Sequence, residues 1–261
     1  MVGSSRGINL TAMSAEVKAP PAAIAATGDE ALARWSWPLV SSGLAAGLSM
    51  GFSLLAEGLL RAHLPDAPWA ELIAKLGFPV GFLIVLSGRQ QLFTARKVTP
   101  VFGALSRRSA GWQLLGVPGI LLAANLAGAA AFSAVLTRSP VFDPFVTSEF
   151  NAVGLQALSH GARAVALRGI FAGWLLACLV WLLPAAGAGR VGVIVILSYL
   201  MGLGRLSHVV AGAPAVFASA WMGSVGWGRA LLGFVVPALI GNVVGRFALA
   251  ALLARGERPR R

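Results

Sequence analysis

The residues best suited to chemistry lie in a short stretch, GRLSHVVAG at residues 204–212, between two apolar runs. Ser207 offers a hydroxyl donor, and His208 offers an imidazole whose charge can change near neutral pH. Glycines, which weaken helices, stand at both ends of the stretch. Together these residues predict a polar site where a small solute exchanges hydrogen bonds or protons. The simpler interpretation is a structural histidine bonded to a loop carbonyl.

The chain has a second polar break, RQQLFTARK, which begins after Gly88 and contains the hydroxyl of Thr94. Both breaks open on the dipeptide Gly-Arg, and a shorter apolar stretch follows each of them, 98–105 in one case and 213–223 in the other. Each pair of apolar runs therefore predicts one membrane crossing made of two half-helices.

The composition places these breaks in a membrane protein. Of the 261 residues, 57% are hydrophobic and 11% are charged, whereas about one quarter of an average soluble domain is charged. The formal net charge is +12, but the basic residues mostly flank apolar runs instead of forming a soluble face for nucleic acid. The single cysteine, Cys178, lies inside an apolar run and excludes an intrachain disulfide.

Four further apolar segments are long enough to cross about 30 Å of hydrocarbon, which needs roughly 20 residues. They are residues 38–60, 114–136, 164–183 and 230–254. With the two broken crossings, the second and the fifth, the prediction is an all-α membrane protein of six crossings. The excess of Lys and Arg on one side places both termini in the cytoplasm. The predicted parts are a cytoplasmic leader with a short amphipathic helix (1–36), a transmembrane channel domain (37–254) and a basic cytoplasmic tail (255–261).

The sequence also contains an internal repeat. GWQLLGVPGILLAANLAGAAAF, from Gly111, and GWGRALLGFVVPALIGNVVGRF, from Gly226, share a Gly-Trp entry and an Asn-x-x-Gly. These matches and the two Gly-Arg breaks lie 115 to 117 residues apart. Because each half has three crossings, the halves enter the membrane from opposite faces, which predicts an inverted 3+3 repeat with a site at the midplane. Half-helices that begin there present free N–H groups, which favours an anion.

Four motifs carry a family resemblance: GFPVGFLIVLSGRQQLFT, RGIFAGWLLACLVW, SHVVAG and IGNVVG. As a set they resemble the formate/nitrite transporter family of pentameric anion channels, over about residues 37–253. The resemblance implies an aquaporin-like protomer with its own pore, a homopentamer, and a central histidine beside a loop threonine. On this chain the histidine is His208 and the threonine is Thr94.

Further pore positions are predicted as well, of which the resemblance assigns the constriction. Ser207 and Gly173 are expected beside the central pair. The expected constriction consists of Phe78, Phe82, Leu92 and Met201, and the expected outer vestibule contains Arg163, Arg168 and His160.

The chain departs from the family at several positions. Gln91 stands where well-studied members have an acidic residue, Ala157 where they have a vestibule lysine, and Gly173 in place of the asparagine of a Cys-Asn pair. Arg246 replaces the glycine that follows NVVG. The identity of the solute is therefore not carried over, and formate, nitrite and hydrosulfide are candidates.

Glu57 is the one acidic residue well inside a predicted crossing. A buried carboxylate is expected to become neutral or to pair with a cation. Arg168 and Arg246 are the expected partners.

The sequence thus predicts a channel or transporter for a small monovalent weak-acid anion in the bacterial inner membrane, without a cofactor or metal. Proton donation by His208, or by water organised by His208 and Thr94, would let the solute cross as the neutral acid. The expected partners are the anion, a proton, the lipid bilayer and further copies of the chain, and not nucleic acid. The sequence offers few convergent acids, bases or metal ligands for a membrane-embedded enzyme. An aquaporin-like channel for a small neutral solute is the alternative, although such a pore does not need a titratable histidine beside a hydroxyl.

Overall fold

The computed structural model describes residues 37–95 and 111–256. The predicted leader, the apolar stretch 98–105 and the last five residues of the tail lie outside the described residues. Residues 36–96 and 118–261 group into one compact unit, and every contact discussed below lies within it. Residues 1–35 and 97–117 group separately, and of these only 111–117, the beginning of a helix, are described.

The described residues form α-helices joined by short turns and single 3₁₀ or π turns. The α-helices are α1 (Trp37–His63), α2 (Ala70–Ala74), α3 (Pro79–Ser87), α4 (Gly111–Arg138), α5 (Pro144–Leu158), α6 (Ala162–Leu182), α7 (Arg190–Leu203), α8 (Val209–Trp221), α9 (Trp227–Ala230) and α10 (Val236–Gly256). The 3₁₀ turns are Lys75–Gly77, Phe93–Ala95 and Gly187–Gly189, and a π turn, Leu231–Val235, joins α9 to α10.

Five of the described helical segments are long and apolar enough to cross a membrane: Trp37–His63, Ala70–Ser87, Pro118–Arg138, Ala162–Leu182 and Trp227–Leu253. Two shorter apolar helices, Gly187–Leu203 and Val209–Trp221, accompany them. The predicted all-helical membrane class is therefore confirmed. The second of the shorter helices begins at Val209, four residues before the apolar stretch expected after the second break.

Helix α5 is absent from the crossings predicted from the sequence. Asp143 caps its N-terminus by accepting hydrogen bonds from the N–H groups of Phe145 (2.9 Å) and Val146 (3.1 Å), and Pro144 occupies its first turn. One face is apolar and packs Phe150 into a cluster with residues of α1, α4 and α8. The Asp-Pro pair is a helix-start signal, but the polar residues of the first two turns hide the apolar face.

Glycines allow the long helices to approach at two matched places. A side chain on Gly47 of α1 would collide with the backbone carbonyl of Asn125 in α4. A side chain on Gly173 of α6 would collide with the backbone of Asn242 in α10. Small residues at such crossings let the backbones of two helices touch.

Helices α3 and α7 lie side by side and run in opposite directions. Arg190, at the start of α7, donates to the carbonyl of Leu86 near the end of α3 (3.0 Å). Phe78, directly before α3, packs on Gly202 near the end of α7. The end of each helix therefore lies beside the beginning of the other.

Candidate functional site

Helices α3 and α7 end with the same hydrogen-bonding motif. Arg89 and Arg205 have positive φ angles of 53° and 48°, in the left-handed region that non-glycine residues seldom occupy. The N–H of the following residue donates back to the last turn, from Gln90 to Val85 (3.0 Å) and from Leu206 to Met201 (2.9 Å). This is the bond that defines a Schellman motif, with arginine in the place of the usual glycine.

A buried asparagine completes the hydrogen bonds of the chain after α3. The side-chain oxygen of Asn125, in α4, accepts from the N–H of Phe93 (2.9 Å). Its nitrogen donates to the carbonyls of Gln91 (3.1 Å) and Gly43 (2.7 Å). The Asn125 side chain thus satisfies three backbone groups. It ties the segment from Gln91 to Phe93 to α1, through Gly43.

A second buried asparagine makes the equivalent bonds after α7. The side-chain oxygen of Asn242, in α10, accepts from the N–H of Val209 (2.9 Å). Its nitrogen donates to the carbonyls of Ser207 (2.8 Å) and Gly169 (2.9 Å). We call these two arrangements the amide clamps.

The clamps bring Thr94 and His208 together. Thr94 follows Phe93 and His208 precedes Val209, and Thr94 Oγ1 lies 2.8 Å from His208 Nε2. Both side chains are buried, at 2% and 1% exposure. His208 also caps α8, because its Nδ1 accepts from the N–H of Ala211 (3.0 Å). The structure therefore brings these two predicted residues into direct contact.

The expected constriction residues pack around this pair. Phe82 lies edge-on to the His208 ring, with 5.4 Å between ring centroids, and its centroid is 5.6 Å from that of Phe78. Leu92 and Met201 are fully buried in the same apolar cluster. The residues expected at the constriction therefore belong to one apolar cluster, and Phe82 of that cluster contacts the His208 ring.

A cavity of about 70 Å³ begins next to this cluster. Phe78, Met201 and Ser207 line it together with the charged side chains of Lys75, Arg168 and Arg205. This volume is enough for a small anion or a few water molecules.

An ion-pair network lies along one wall of the cavity. Glu57 Oε1 accepts from Lys75 Nζ (2.5 Å) and from Arg61 Nε (3.3 Å). Arg205 Nη2 lies 2.8 Å from both carboxylate oxygens of Glu71, and Arg61 Nη2 lies 3.5 Å from one of them. The side chains of Lys75, Arg61 and Arg205 thus share the carboxylates of Glu57 and Glu71.

The expected pairing of Glu57 with Arg168 or Arg246 is wrong. The 3₁₀ turn after α2 carries Lys75 to Glu57, because Gly77 has no side chain and lies directly on the α1 backbone at Glu57. Glu57 and Lys75 are both buried, at 2% and 5% exposure.

The remaining predicted residues lie in different places. Arg168 lines the cavity, and its Nη1 lies 3.0 Å from Nδ1 of His160. Arg163 is exposed and lines a separate surface groove between α6 and α10. Ser207 is buried with its carbonyl in the second clamp, whereas Gly173 packs against the backbone of Asn242.

Sequence reasoning missed the cations that accompany Arg168 at the cavity. Lys75 and Arg205 line it, and neither was predicted as a site residue. The repeat had marked Asn125 and Asn242 without giving them a role. Their chemistry could have shown their role, because an amide side chain inside an apolar membrane-spanning segment needs several hydrogen-bond partners.

Apolar helices that enclose a buried Thr–His pair, with a charged cavity beside it, define a helical membrane transport protein. The chain belongs to the formate/nitrite transporter family, whose model "Formate/nitrite transporter" matches residues 21–255. It is 32% identical over 232 residues to the inner membrane protein YfdC of Escherichia coli (strain K12). The match covers 88% of this chain and 75% of that protein. The predicted family is confirmed.

Two solved structures share the fold. An FNT family ion channel matches with a TM-score of 0.75 and 16% identity, covering 92% of this chain and 98% of that one. A pentameric formate channel with formate bound matches with a TM-score of 0.67 and 18% identity, covering 83% and 95%. The family and both neighbours are named as transporters or channels.

The amide clamps predict a large stability loss when one is removed. In Asn242→Ala the N–H of Val209 and the carbonyls of Ser207 and Gly169 lose their partner, and each such buried group costs roughly 1–3 kcal/mol. We expect the Tm in detergent to fall steeply. Asn151→Ala is the matched control, because the amide oxygen of Asn151 is buried without a hydrogen-bond partner within the described residues. Equal losses in the two variants would contradict the clamp.

Proposed function

We propose that this protein is a channel for a small monovalent weak-acid anion, of the class of formate, nitrite or hydrosulfide, which passes His208 as the neutral protonated acid. The observation that carries the proposal is the buried contact between Thr94 Oγ1 and His208 Nε2. The family name and the formate channel among the structural neighbours support an anion as the solute.

We further propose that the chain is an inverted 3+3 repeat of aquaporin-like architecture, with α3 and α7 as the first parts of two broken crossings. The matched amide clamps and helix ends support this proposal. So does the antiparallel packing of α3 against α7. Such a repeat would have its central site between the two clamps.

The hydrogen bonds of the central pair favour one of the two proton sources considered from the sequence. Nδ1 of His208 accepts from the Ala211 N–H and therefore carries no proton in this arrangement. In the neutral ring the proton is on Nε2, which donates to Thr94 Oγ1 and leaves the threonine proton for the solute. A proton passed to the solute then comes from water organised by Thr94 and His208, because a neutral ring cannot easily give up its last proton. The hydroxide that this transfer leaves stays in the water on the side of entry.

The constriction supports passage of a neutral species. A bare anion between Phe82, Leu92 and Met201 would lose its water without gaining an equivalent partner, which is very costly. The same desolvation favours the protonated form of a weak acid. The acid thus crosses the apolar part uncharged, and the proton is released beyond it.

The cavity is suited to collect the anion. Arg168 faces the cavity, and its Nη1 lies 3.0 Å from Nδ1 of His160. Lys75 and Arg205 add positive charge that Glu57 and Glu71 largely balance. The surplus positive charge raises the local concentration of small anions.

We propose that five copies assemble in the bacterial inner membrane, with both termini in the cytoplasm. The pentameric neighbour and the inner-membrane relative support this arrangement. Native mass spectrometry in mild detergent should show five copies of the 26.8 kDa chain. A stable monomer or dimer as the largest species would contradict the pentamer.

A solute panel separates the proposed function from the neutral-solute alternative. Purified protein in liposomes should accelerate the uptake of at least one of formate, nitrite and hydrosulfide, and should leave glycerol and water permeation at the level of empty liposomes. Transport of glycerol or water without any of the anions would replace the proposal by the alternative.

The pH dependence tests the role of His208. His208→Asn keeps a cap for α8 and a donor toward Thr94, so we expect folded protein with flux reduced roughly two- to tenfold, the value of one altered hydrogen bond. In both proteins flux should fall as pH rises, because the neutral fraction of the acid falls. Stopped-flow uptake, normalised to folded protein, measures both profiles.

The control is His63→Asn, since His63 is exposed at the end of α1. It should leave amplitude and profile unchanged. A titration step in the flux that is present in the wild type and missing in His208→Asn would show instead that the ring itself exchanges the proton.

A further inference from the structure

We propose that Arg246 makes this pore selective for planar anions with two oxygen atoms, carboxylates or nitrite, over hydrosulfide. The inference rests on the proposed function and narrows the class of solute. It starts from the position of Arg246 in α10, one turn after the clamp residue Asn242.

Residues four apart lie on the same face of a helix. Asn242 points from α10 to the chain on both sides of His208. Arg246 therefore extends from the same face, and its Nη1 lies 3.5 Å from the carbonyl oxygen of Phe93, the residue before Thr94. The guanidinium thus stands beside the central pair.

The guanidinium is poorly satisfied by the protein. Within residues 37–95 and 111–256, the ion pairs all involve Glu57 or Glu71, and Arg246 takes part in none of them. Residues 96–110, which follow Thr94 in the chain, contain no Asp or Glu. A guanidinium has five N–H donors, and a 3.5 Å contact to a carbonyl uses one of them at the long limit of a hydrogen bond.

A cation inside a membrane-spanning segment marks a solute pathway by default, and Arg246 has no acidic partner among the described residues. Arg246 is only half-buried, so the protein does not enclose it completely. The corresponding position in the first half of the chain, four residues after Asn125, is the buried Ala129. The first half of the chain therefore has no cation at the position that corresponds to Arg246.

The shape of the guanidinium determines which anion it prefers. Its planar fork donates two parallel N–H bonds to two oxygens of one anion, which gives geometric specificity as well as energy. Formate and nitrite present such oxygens, whereas hydrosulfide has a single acceptor atom. A lysine at the same position would supply the charge without the fork.

The experiment compares formate, nitrite and hydrosulfide uptake in liposomes made from one preparation of each variant, so that the fraction of folded protein cancels in the flux ratio. Wild-type protein should favour formate and nitrite. Arg246→Lys and Arg246→Gln should both lower the formate-to-hydrosulfide ratio by roughly tenfold, the effect of losing one charged hydrogen bond, and nitrite should follow formate. Arg229→Gln, an exposed arginine on the neighbouring α9, is the matched control and should keep the wild-type ratio.

An unchanged ratio in the lysine and glutamine variants would overturn the inference while leaving the anion channel intact. An equal fall of all three fluxes would also overturn it, because it would mean that Arg246 supports the fold or the general field. Wild-type protein that moves none of the three anions would instead refute the proposed function, and the inference with it.

Discussion

The structure depends on the pairing of backbone groups where the chain leaves its helices in the interior of a membrane protein. Unpaired N–H and C=O groups cost several kcal/mol each in such surroundings. Asn125 and Asn242 remove this cost with three hydrogen bonds each. Thr94 directly follows Phe93, and His208 directly precedes Val209, and both Phe93 and Val209 are bound by a clamp. The hydrogen bonds that satisfy the backbone where the helices end therefore also fix the distance between the Thr94 and His208 side chains.

Much of the fold could be predicted from the sequence, because hydropathy reports directly on helices that face lipid. The long crossings and the clamp asparagines were visible as apolar length and as a repeated Asn-x-x-Gly. Helix α5 was not visible in the hydropathy, because polar residues interrupt the apolar face with which it packs against other helices. Its existence depends on the partners around Phe150, which no single segment contains.

The site could be predicted in part, because residues inside the motifs and residues outside them are positioned by different contacts. Motif residues such as Thr94 and His208 are held by backbone geometry that the motif itself encodes, so the structure brings them together. The partner of Glu57 depends instead on how a turn crosses α1, and a glycine at Gly77 decides that crossing. Arg163 belongs to none of the quoted motifs. It was assigned to the vestibule because it is near His160 and Arg168 in the sequence, and it lines a different groove.

The clamps also change the argument for an anion. From the sequence, the positive end of a half-helix was expected to face the centre with free N–H groups. In α8 the N–H of Val209 donates to Asn242 and that of Ala211 donates to His208. These donors are already used, and the field they leave is weaker than that of an uncapped helix end. In the proposed pore, attraction for an anion must therefore come mainly from side chains. The proposal assigns that role to Arg168 and Arg246, which form no ion pair among the described residues.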